Sequence, residues 1–503
     1  MIFAIPNISV VAQDTIRTDS VKLFTQYNTQ YNNERDFNDN YYYNPANMLD
    51  YSTSSFSQIY LHLNDENLKI NRAVNGSKQQ SYGLKTNSFQ KIKPTLAIWG
   101  EAAYTSTNIK KMVWNENLDY DRISPYTVAD SVGGNFDVEK YHFLGGFSKK
   151  VNRFTFGLQG NYIAQLGARS RDPRNKTITS NLSVKAGANY AIVNDLKIGA
   201  FAQIDKYTQN NVINFASLLG YPNVYQMTSF GYYNYLFSGG TSKIENQYEQ
   251  LGYQIGGELS NKNGKDFYIL AQFGRLDLVK STRGLYTTFY NVADVIDDNY
   301  NLQAAKFISL NNQRLGLKIS YQYKKRLGSE YGYTNNGTAL QQIYKEKTYK
   351  RDITDYNAEL FYQYQNNKFV ATLQPHFIYQ KYVEKRLRPF NGIKWTSYTY
   401  GVNADLRLNI KKNYIVSLQP FVSYKSINNR DEILSLGNNQ SINEWVENEY
   451  AFLASNVTQF GTSLRFDFKV KEIPTIFAAI DWQNAKILNK NNQYLGVKLG
   501  VTF

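Results

Sequence analysis

The sequence predicts an all-β protein, a transmembrane antiparallel up-and-down β-barrel of about 18 strands (from about 16 to 18) with long extracellular loops and short periplasmic turns. Three observations predict this fold class. Segment after segment alternates apolar and polar residues, and almost none repeats at the period of a helix. The connections between these segments alternate between tight turns and longer polar stretches. The last segment keeps its apolar alternation up to Phe503.

The composition excludes several classes of protein. No apolar run reaches the roughly 18 residues that a membrane-spanning helix requires. The chain has no cysteine, so disulfides, thiolate metal sites and a lipid-modified N-terminal cysteine are excluded. The net charge is +15, but no basic helix or stripe of Lys and Arg accompanies it, so nucleic acid is not an expected partner.

The first element is the N-terminus, where residues 1–13 are predicted to be the remnant of a signal peptide. A short apolar run leads to the sequence VVAQ at 10–13, which is typical of a secretory cleavage site although no basic start precedes it. A disordered N-terminus is the alternative interpretation. If the signal is real, the protein is exported.

Residues 14–54 follow as a predicted periplasmic segment that could partly plug the lumen, and residues 55–503 are predicted to form the barrel. Within the segment, Asn44-Pro45-Ala46 resembles the NPA sequence near the start of fatty-acid-transporter-like barrels, in which an N-terminal hatch occupies the pore. The match covers three residues, and a simple Asn-Pro turn is the other explanation.

The strands follow from the alternation, which is clearest in three central segments. A soluble β-sandwich, repeat array or propeller would also alternate. Against those folds, the chain shows no repeat of fixed period, and its aromatic residues crowd the strand ends as in an interfacial girdle. The outward positions of the three segments are Phe154, Phe156, Leu158 and Tyr162, then Leu182, Val184 and Ala186, then Tyr356, Leu360 and Tyr362; the proposed girdle pairs are Tyr321 with Tyr323, Tyr362 with Tyr364, Tyr398 with Tyr400, and Tyr414 with Tyr424.

The turns determine the strand count. Eight tight turns at the rim that also holds both termini predict about 18 strands, from Phe56 to Phe503, with the N- and C-termini periplasmic. The tight turns are at 91–94, 149–153, 193–195, 261–265, 311–313, 365–367, 411–413 and 469–474. The loops are expected near 107–137, 166–176, 209–246, 280–298, 328–350, 383–395 and 428–452.

The last strand is expected to pair with the first. In hydrocarbon every backbone donor and acceptor must be paired within the protein, so a membrane sheet has to close on itself. A final alternating strand that ends in Phe, as NNQYLGVKLGVTF does, also resembles the terminal signature of bacterial outer-membrane barrels.

If the apolar positions face lipid, the opposite positions line the lumen, and their charges balance at eight basic against eight acidic. Selective anion conduction is therefore not indicated. The pairs Asp405/Arg407 and Arg465/Asp467 are expected to stiffen the wall, and the surplus positive charge lies in loops and turns beside anionic head groups. The predicted lining residues are Lys185, Lys197, Arg314, Lys318, Arg407, Arg465, Lys469 and Lys498, with Glu101, Asp205, Glu258, Asp355, Glu359, Asp405, Asp467 and Asp481.

Two loops are candidates for ligand binding. One carries rings that could stack on a sugar, a catechol-like ligand or a protein partner, or that could pack against one another over the barrel mouth. The other carries cations that could hold lipopolysaccharide phosphates or an acidic ligand, or that could form a solvated hairpin tip. The rings are Tyr221, Tyr225, Phe230, Tyr232, Tyr233, Tyr235 and Phe237, and the cations are Arg169, Arg171, Arg174 and Lys176.

Catalysis is not predicted, and neither a cofactor nor a metal is expected. His62, His142 and His376 are isolated, with no spacing suited to a metal. The acidic stretch at 294–298 lacks the ligand spacing and the central glycine of a calcium loop. A membrane-embedded hydrolase remains the third hypothesis, behind a transport barrel and a surface-binding scaffold.

Taken together, the Tyr- and Asn-rich strands, the Lys-rich turns and the terminal VTF resemble outer-membrane barrels of Bacteroidetes, in particular a family of similar length without an assigned function. TonB-dependent transporters themselves have about 22 strands and a plug domain, which this chain cannot accommodate. The resemblance implies an accessory role in nutrient, iron or siderophore uptake beside a TonB-dependent transporter and a surface lipoprotein, in a membrane of outer-membrane lipids and lipopolysaccharide. A scaffold with a filled lumen and a fatty-acid-transporter-like passive channel for hydrophobic compounds are the alternatives.

Overall fold

The computed structural model describes residues 20–503 except 193–195, 218–219, 262–263, 285, 336–338, 412 and 471–472. The prediction of a signal-peptide remnant at 1–13 lies outside the described residues. Three of the predicted tight turns, at 193–195, 261–265 and 411–413, are wholly or partly outside them as well, as is part of the turn at 469–474.

Eighteen strands pair edge to edge in one closed antiparallel sheet, which confirms the predicted fold class. In chain order they are β1 (Phe56–Leu68), β2 (Lys78–Lys93), β3 (Leu96–Met112), β4 (Gly134–Val151), β5 (Phe154–Ala168), β6 (Arg174–Ala191), β7 (Leu196–Asn214), β8 (Lys243–Asn261), β9 (Phe267–Arg283), β10 (Tyr290–Leu310), β11 (Gln313–Asn335), β12 (Leu340–Gln365), β13 (Phe369–Arg386), β14 (Asn391–Lys411), β15 (Tyr414–Ile433), β16 (Val457–Phe468), β17 (Thr475–Ile487) and β18 (Lys490–Thr502).

Among the described residues, helical structure lies in the N-terminal segment and in loops. Four α-helices are α1 (Ser20–Gln30), α2 (Asn33–Phe37), α3 (Tyr120–Ile123) and α4 (Gln440–Leu453), and three 3₁₀-helices cover Asp39–Tyr43, Pro45–Asp50 and Ala73–Asn75. Two short strands, Val128–Ala129 and Tyr225–Gln226, pair with each other outside the barrel sheet. Within the described ranges, none of the helices is both long enough and apolar enough to cross a bilayer.

The last strand closes the barrel by pairing with the first, as the sequence predicts. Leu499 of β18 lies opposite Leu61 of β1, and the pairing runs from Thr502 opposite Gln58 to the other end of the strand. On its second side β18 pairs with β17. No edge of the sheet is left open, which is the condition for a sheet to lie in hydrocarbon.

The outer face of the barrel is apolar and exposed. Phe154, Phe156 and Leu158 on β5 point outward, as predicted, while Gln159 points inward. The same holds around the barrel to the closing seam, where the exposed fractions of Leu61 and Leu499 are 61% and 57%. Exposed apolar side chains on every side exceed what a water-soluble monomer presents, so the surface is the lipid-facing band of a transmembrane barrel.

The two rims of the barrel differ. At the turn rim, short connections join β2 to β3, β4 to β5, β10 to β11 and β12 to β13, at four of the predicted positions. The strands that flank the other four predicted turns end and begin beside those positions. At the opposite loop rim, three connections are long, at 113–133, 215–242 and 434–456, and we call them the mouth loops.

Four of the seven predicted loops are instead mostly strand. In each of these stretches the flanking strands continue further than predicted, so that only a short connection remains between them. The stretches are those expected near 166–176, 280–298, 328–350 and 383–395. The clearest case is the hairpin of β11 and β12, whose strands are 23 and 26 residues long. Polar residues can pair their backbones beyond the membrane as well as within it, so hydropathy marks the edge of the lipid band and not the end of a strand.

Candidate functional site

The N-terminal segment (residues 20–55) crosses the lumen at the turn rim. Its described side chains and carbonyls contact wall residues on strands all around the barrel, so the segment lies inside the cylinder. These contacts join Tyr31 to Gln58 of β1 (2.9 Å), Ala46 to Ser148 of β4 (2.9 Å), Tyr43 to Gln203 of β7 (2.8 Å), Asn47 to Glu258 of β8 (2.7 Å), Phe37 to Lys318 of β11 (2.8 Å), Asn33 to Thr372 of β13 (2.7 Å) and Asn28 to Arg407 of β14 (3.3 Å).

Local sequence explains the turns of this segment. The Asn32 side chain accepts from the Arg35 amide at 3.0 Å and caps α2. The Asn44 side chain accepts from the Ala46 amide at 3.0 Å, and Pro45 occupies the first position of the following 3₁₀-helix. Asparagine before proline is a favourable helix start, because it caps the free amides while proline has none to leave unpaired. The Asn-Pro turn considered from sequence is therefore present.

The same turn is pressed against the wall. Asn44 Nδ2 donates to Glu258 Oε1 at 2.9 Å. Behind it the wall carries Gly157 and Gly187, where a Cβ atom would collide with the backbone of Pro45 and with the side chain of Asn44 respectively. The absence of side chains at these two wall positions lets the segment approach the strands directly.

An aromatic cluster holds the middle of the segment. Phe37 is 3% exposed and packs on Phe307 and Phe361 of the wall, at ring distances of 5.8 and 5.2 Å. Tyr41 is 1% exposed and meets Tyr268 at 6.0 Å. Burial of such rings is the main apolar contribution to holding the segment in the lumen.

Lys469, which the sequence also places in the lumen, instead lies beyond the end of β16 at the turn rim, where its Nζ donates to the Ile473 carbonyl at 2.9 Å. The remaining charged residues that the sequence places in the lumen fall into two groups. Seven contact the N-terminal segment: Lys185 over the Tyr43 ring (3.1 Å), Lys197 on Asp50 (3.1 Å), Glu258 on Asn44 and Asn47, Arg314 on Glu34 (2.7 Å), Lys318 on the Phe37 carbonyl, Arg407 on Asn28, and Arg465 over the Tyr31 ring (4.4 Å). The others pair within the wall: Glu101 with Lys85 (2.7 Å), Asp205 with Gln203 (2.8 Å), Asp355 with Gln380 (2.9 Å), Glu359 with Lys318 (3.1 Å), Asp405 with Arg407 (2.8 Å), Asp467 with Arg465 (2.7 Å) and Asp481 with Lys498 (2.8 Å). Sequence periodicity identifies the inner face, but it does not reveal that many of these charges hold a segment of the same chain.

Above the segment lies a polar space that we call the central chamber, bounded by Gln374, Asn403, Gln419, Phe421, Ser463 and Gln483 of the wall. It includes a cavity of about 310 Å³, to which Asn33 and Asp36 of α2 also contribute. Asn403, Gln419 and Gln483 are exposed although they point into the barrel. The lumen is therefore not filled with side chains at this level.

At the loop rim, the first mouth loop folds into the lumen. Ile123 is fully buried and Tyr126 is 1% exposed. They belong to a cluster with wall residues of β7, β8, β9 and β10, which are Tyr207, Tyr248, Leu278, Ala293 and Val295. Tyr248 Oη donates to the carbonyl of Tyr126 at 3.0 Å, so the cluster is fixed by a hydrogen bond as well as by packing.

A buried ionic triad secures the same loop. Arg169, just after β5, contacts Glu116 and Asp130 of the loop, and all three side chains are almost fully buried. Burial raises the pKa of Glu116 well above its usual value, and the neighbouring Asp130 raises it further. Burial would also raise the pKa of Asp130, but hydrogen bonds from Glu116 and from the Gly133 and Val132 amides lower it below its usual value. The two pKa shifts are opposite in direction, so burial and the shared contacts favour the protonated form of Glu116 and the ionised form of Asp130.

The third mouth loop supplies α4, which packs on the other two. Trp445 of α4 stacks on Trp114 at 5.4 Å, and Tyr450 stacks on Phe230 at 5.2 Å. Arg72, in the connection after β1, binds Glu449 of α4 at 2.5 Å and also reaches Asp121 of α3 at 3.0 Å. The mouth loops thus form a single cover over the lumen.

A model of one protein family matches residues 45–503, from the Asn44-Pro45 turn to the closing strand. The chain belongs to this family of unknown function, DUF6850. No curated protein matches the sequence.

Solved structures similar to this DUF6850 barrel include a mutant of the ferric enterobactin receptor PfeA from Pseudomonas aeruginosa, at 10% identity, covering 90% of this chain and 80% of that one, with a TM-score of 0.37. The siderophore receptor PiuA from Acinetobacter baumannii is similar at 8% identity, covering 88% and 81%, with a TM-score of 0.38. The copper transporter OprC is similar at 7% identity, covering 90% and 81%, with a TM-score of 0.41. At these scores the likeness says nothing about the cargo or partners of this chain.

In this DUF6850 chain the predicted aromatic loop mostly packs on itself and on the other mouth loops. Phe230 is buried, Tyr232 donates to the Ser435 carbonyl, and Tyr225 meets Tyr233 at 4.9 Å. Tyr221 and Tyr235 keep exposed fractions of 43% and 75%.

The arginines of the predicted cationic loop differ in their exposure to solvent. Arg169 is buried with Glu116 and Asp130, so its guanidinium is not presented to a ligand. Arg171 is exposed, and Arg174 pairs with Asp172 at 3.0 Å. Across the described parts of the chain, no group of three or more His, Asp or Glu side chains is arranged to hold a metal ion.

Proposed function

We propose that this protein is an outer-membrane uptake conduit that is closed at rest, with the N-terminal segment as its movable closure. The observation that carries the proposal is the manner in which the segment is held. It contacts the wall through side chains and single carbonyls and does not pair as a strand, so it can leave without breaking the barrel sheet. The central chamber behind it is polar and not filled.

The orientation is part of the proposal. In outer-membrane barrels the rim with short turns faces the periplasm and the rim with long loops faces outward. The turn rim, with both ends of the barrel chain, is thus placed in the periplasm, and the mouth loops are placed among lipopolysaccharide. The N-terminal segment would then be accessible to periplasmic proteins, and the mouth loops to the cell surface. Beside such a conduit we place a TonB-dependent transporter and a surface lipoprotein, in nutrient or iron uptake.

A scaffold with a filled lumen is the second candidate. It is favoured by the closure of both rims, since the mouth loops and the N-terminal segment together leave the chamber between two covers. A passive channel for hydrophobic compounds has less support, because the residues around the chamber are mostly amides and hydroxyls.

Single-channel recording in planar bilayers separates the two candidates. The chain lacks cysteine, so Asn33→Cys with Thr372→Cys introduces one lock between segment and wall, at side chains that touch at 2.7 Å. For a conduit we expect openings from the wild type, none from the oxidised lock, and recovery after reduction. Arg314→Ala, which releases Glu34 of the segment, serves as the loosened variant and should open more often. Silence from every form, including Arg314→Ala, would make the protein a scaffold.

A further inference from the structure

We infer that the cavity of the central chamber is a binding site for a small neutral polyhydroxylated solute, such as an uncharged mono- or disaccharide. The inference rests on the proposed function, because the site would be the place where cargo pauses inside the conduit. At about 310 Å³ the cavity lies at the small end of the roughly 300–1,000 Å³ typical of ligand pockets.

The chemistry of the lining matches hydroxyl groups. Gln374, Asn403 and Gln483 present amides on three wall strands, and none of the described hydrogen bonds engages them. Each amide offers two donors and one acceptor oxygen. A hydroxyl both donates and accepts hydrogen bonds, so a solute with several hydroxyls can pair with the donors and with the acceptor oxygen of each amide. An anion would pair only with the donors, and a cation only with the oxygen.

Charge in the cavity is compensated, which disfavours an ionic ligand. Asp405 is paired with Arg407 at 2.8 Å, and Asp481 is paired with Lys498 at 2.8 Å. Asp36 pairs with Arg35 at 3.4 Å. The paired carboxylates can still accept hydrogen bonds from hydroxyls, which neutral sugars supply.

An aromatic ring completes the site. Phe421 of β15 lines the cavity, two residues after Gln419 on the same strand and directly opposite Asn403 of β14. Its apolar face can cover the C–H face of a sugar ring, while the amides around it reach the ring's edge. A ring flanked by planar polar groups suits a flat, hydroxyl-rich molecule better than a flexible apolar chain.

The site also includes the movable closure. Asn33 and Asp36 of α2 line the cavity together with the wall, and Asn33 donates to Thr372 at its border. A solute bound here contacts both the wall and the N-terminal segment. Because a ligand shifts a conformational equilibrium only through contacts that differ between states, this position allows occupancy to bias the position of the segment.

The test is calorimetry on the purified full-length barrel in a detergent without a sugar head group. The probes are sucrose, maltose and cellobiose, with a uronic acid disaccharide as the charged comparison. We expect at least one neutral disaccharide to bind, and Phe421→Ala and Gln483→Leu to weaken it at least tenfold. Gln322→Leu is the matched control, since Gln322 is an inward amide of β11 outside the cavity, and it should leave affinity unchanged.

Several results would overturn the inference: no binding of any neutral probe, equal binding of the charged disaccharide, or affinity unchanged by both cavity variants. Heat-dependent migration on gels verifies that each variant forms the closed barrel. Because this assay measures binding and not current, the two proposals fail separately. If channel openings were observed without sugar binding, only the proposed sugar site would be rejected. If sugar binding were observed without channel openings, only the proposed conduit function would be rejected.

Discussion

The two ends of the lumen are closed in different ways. The N-terminal segment is joined to the barrel at one point, where it enters β1, and otherwise depends on aromatic packing and charged side chains of the wall. The first mouth loop is joined at both ends, and its triad and its buried amides are sealed from water. A segment that is joined to the barrel sheet on one side only can swing away once its contacts break, whereas a loop that is joined to the sheet at both ends has to deform. We therefore expect the turn rim to be the side that opens.

The largest effect is expected at the mouth. Arg169→Leu should leave Glu116 and Asp130 buried without their cation, and breaking a buried ion pair costs about 3–5 kcal/mol. The free energy of local unfolding of the first mouth loop should fall by an amount of this order, as measured by hydrogen exchange in 113–133. Arg171→Leu, at an exposed position of the same connection, is the control and should change little. Unchanged exchange in Arg169→Leu would mean that the triad does not hold the loop.

The next effect is expected in the N-terminal segment. Phe37→Ala removes a ring that packs on Phe307 and Phe361, and such truncations cost about 3–5 kcal/mol when the cavity does not collapse. A segment attached at one end can readjust, so the loss should lie near the low end of that range. Proteolysis of residues 20–55 should speed up while the barrel stays resistant. Phe37→Leu should retain most of the protection, and equal cleavage of both variants would weaken the role given to this cluster.

A smaller effect is expected for the ion pair of the segment. Arg314 binds Glu34 at 2.7 Å with both side chains partly buried, and its loss should cost about 1–2 kcal/mol. Since roughly 1.4 kcal/mol is a tenfold change in an equilibrium, Arg314→Ala should open about tenfold more often in bilayers. Arg275→Ala, which removes an exposed pair on β9, is the matched control. If both variants open equally often, the pair with Glu34 does not keep the segment closed.

The smallest effect is a dependence on pH that is confined to the mouth. Burial raises the pKa of Glu116, so the stability linked to its protonation is complete below its usual pKa and declines as pH rises through the raised value. Asp130 acts in the opposite direction, because its lowered pKa gives stability that is lost only as pH falls through that value. Hydrogen exchange of 113–133, once corrected for the intrinsic rate, should therefore quicken as pH rises from below the usual pKa of Glu116 through its raised value.

Glu116→Gln keeps the shape and removes the titration, so its corrected exchange rate should be flat across the same interval. Exchange in residues 20–55 serves as the internal reference, since the triad lies at the opposite rim. A slope in the Gln variant equal to that of the wild type would assign the pH dependence to another group.

Much of the barrel could be predicted from local patterns. Alternation, turn residues and the demand for closure place the tight turns, the outward register of β5, β6 and β12, and the pairing of β18 with β1. The strand ends at the loop rim could not be predicted this way, because β11 and β12 continue where hydropathy no longer distinguishes strand from loop.

The candidate site was less accessible to prediction. From the sequence, Arg169 is predicted to lie in an anion-binding loop or at a solvated hairpin tip. In the structure it is buried against Glu116, 53 positions earlier in the chain. The turn at Asn44-Pro45 could be predicted from the sequence, and the structure contains it. The hydrogen bond from Asn44 to Glu258 could not, because the two residues are 214 positions apart. The alternation of apolar and polar residues along a strand contains no information about contacts between residues so far apart in the chain.

By itself the sequence determined a closed membrane sheet of about 18 strands, because each strand's two faces and each tight turn are properties of neighbouring residues, and backbone pairing leaves no alternative in lipid. Only the tertiary structure decided what occupies the lumen. The segment, the chamber and the mouth loops meet through side chains far apart in the chain, and their complementarity exists only after the cylinder has closed around them.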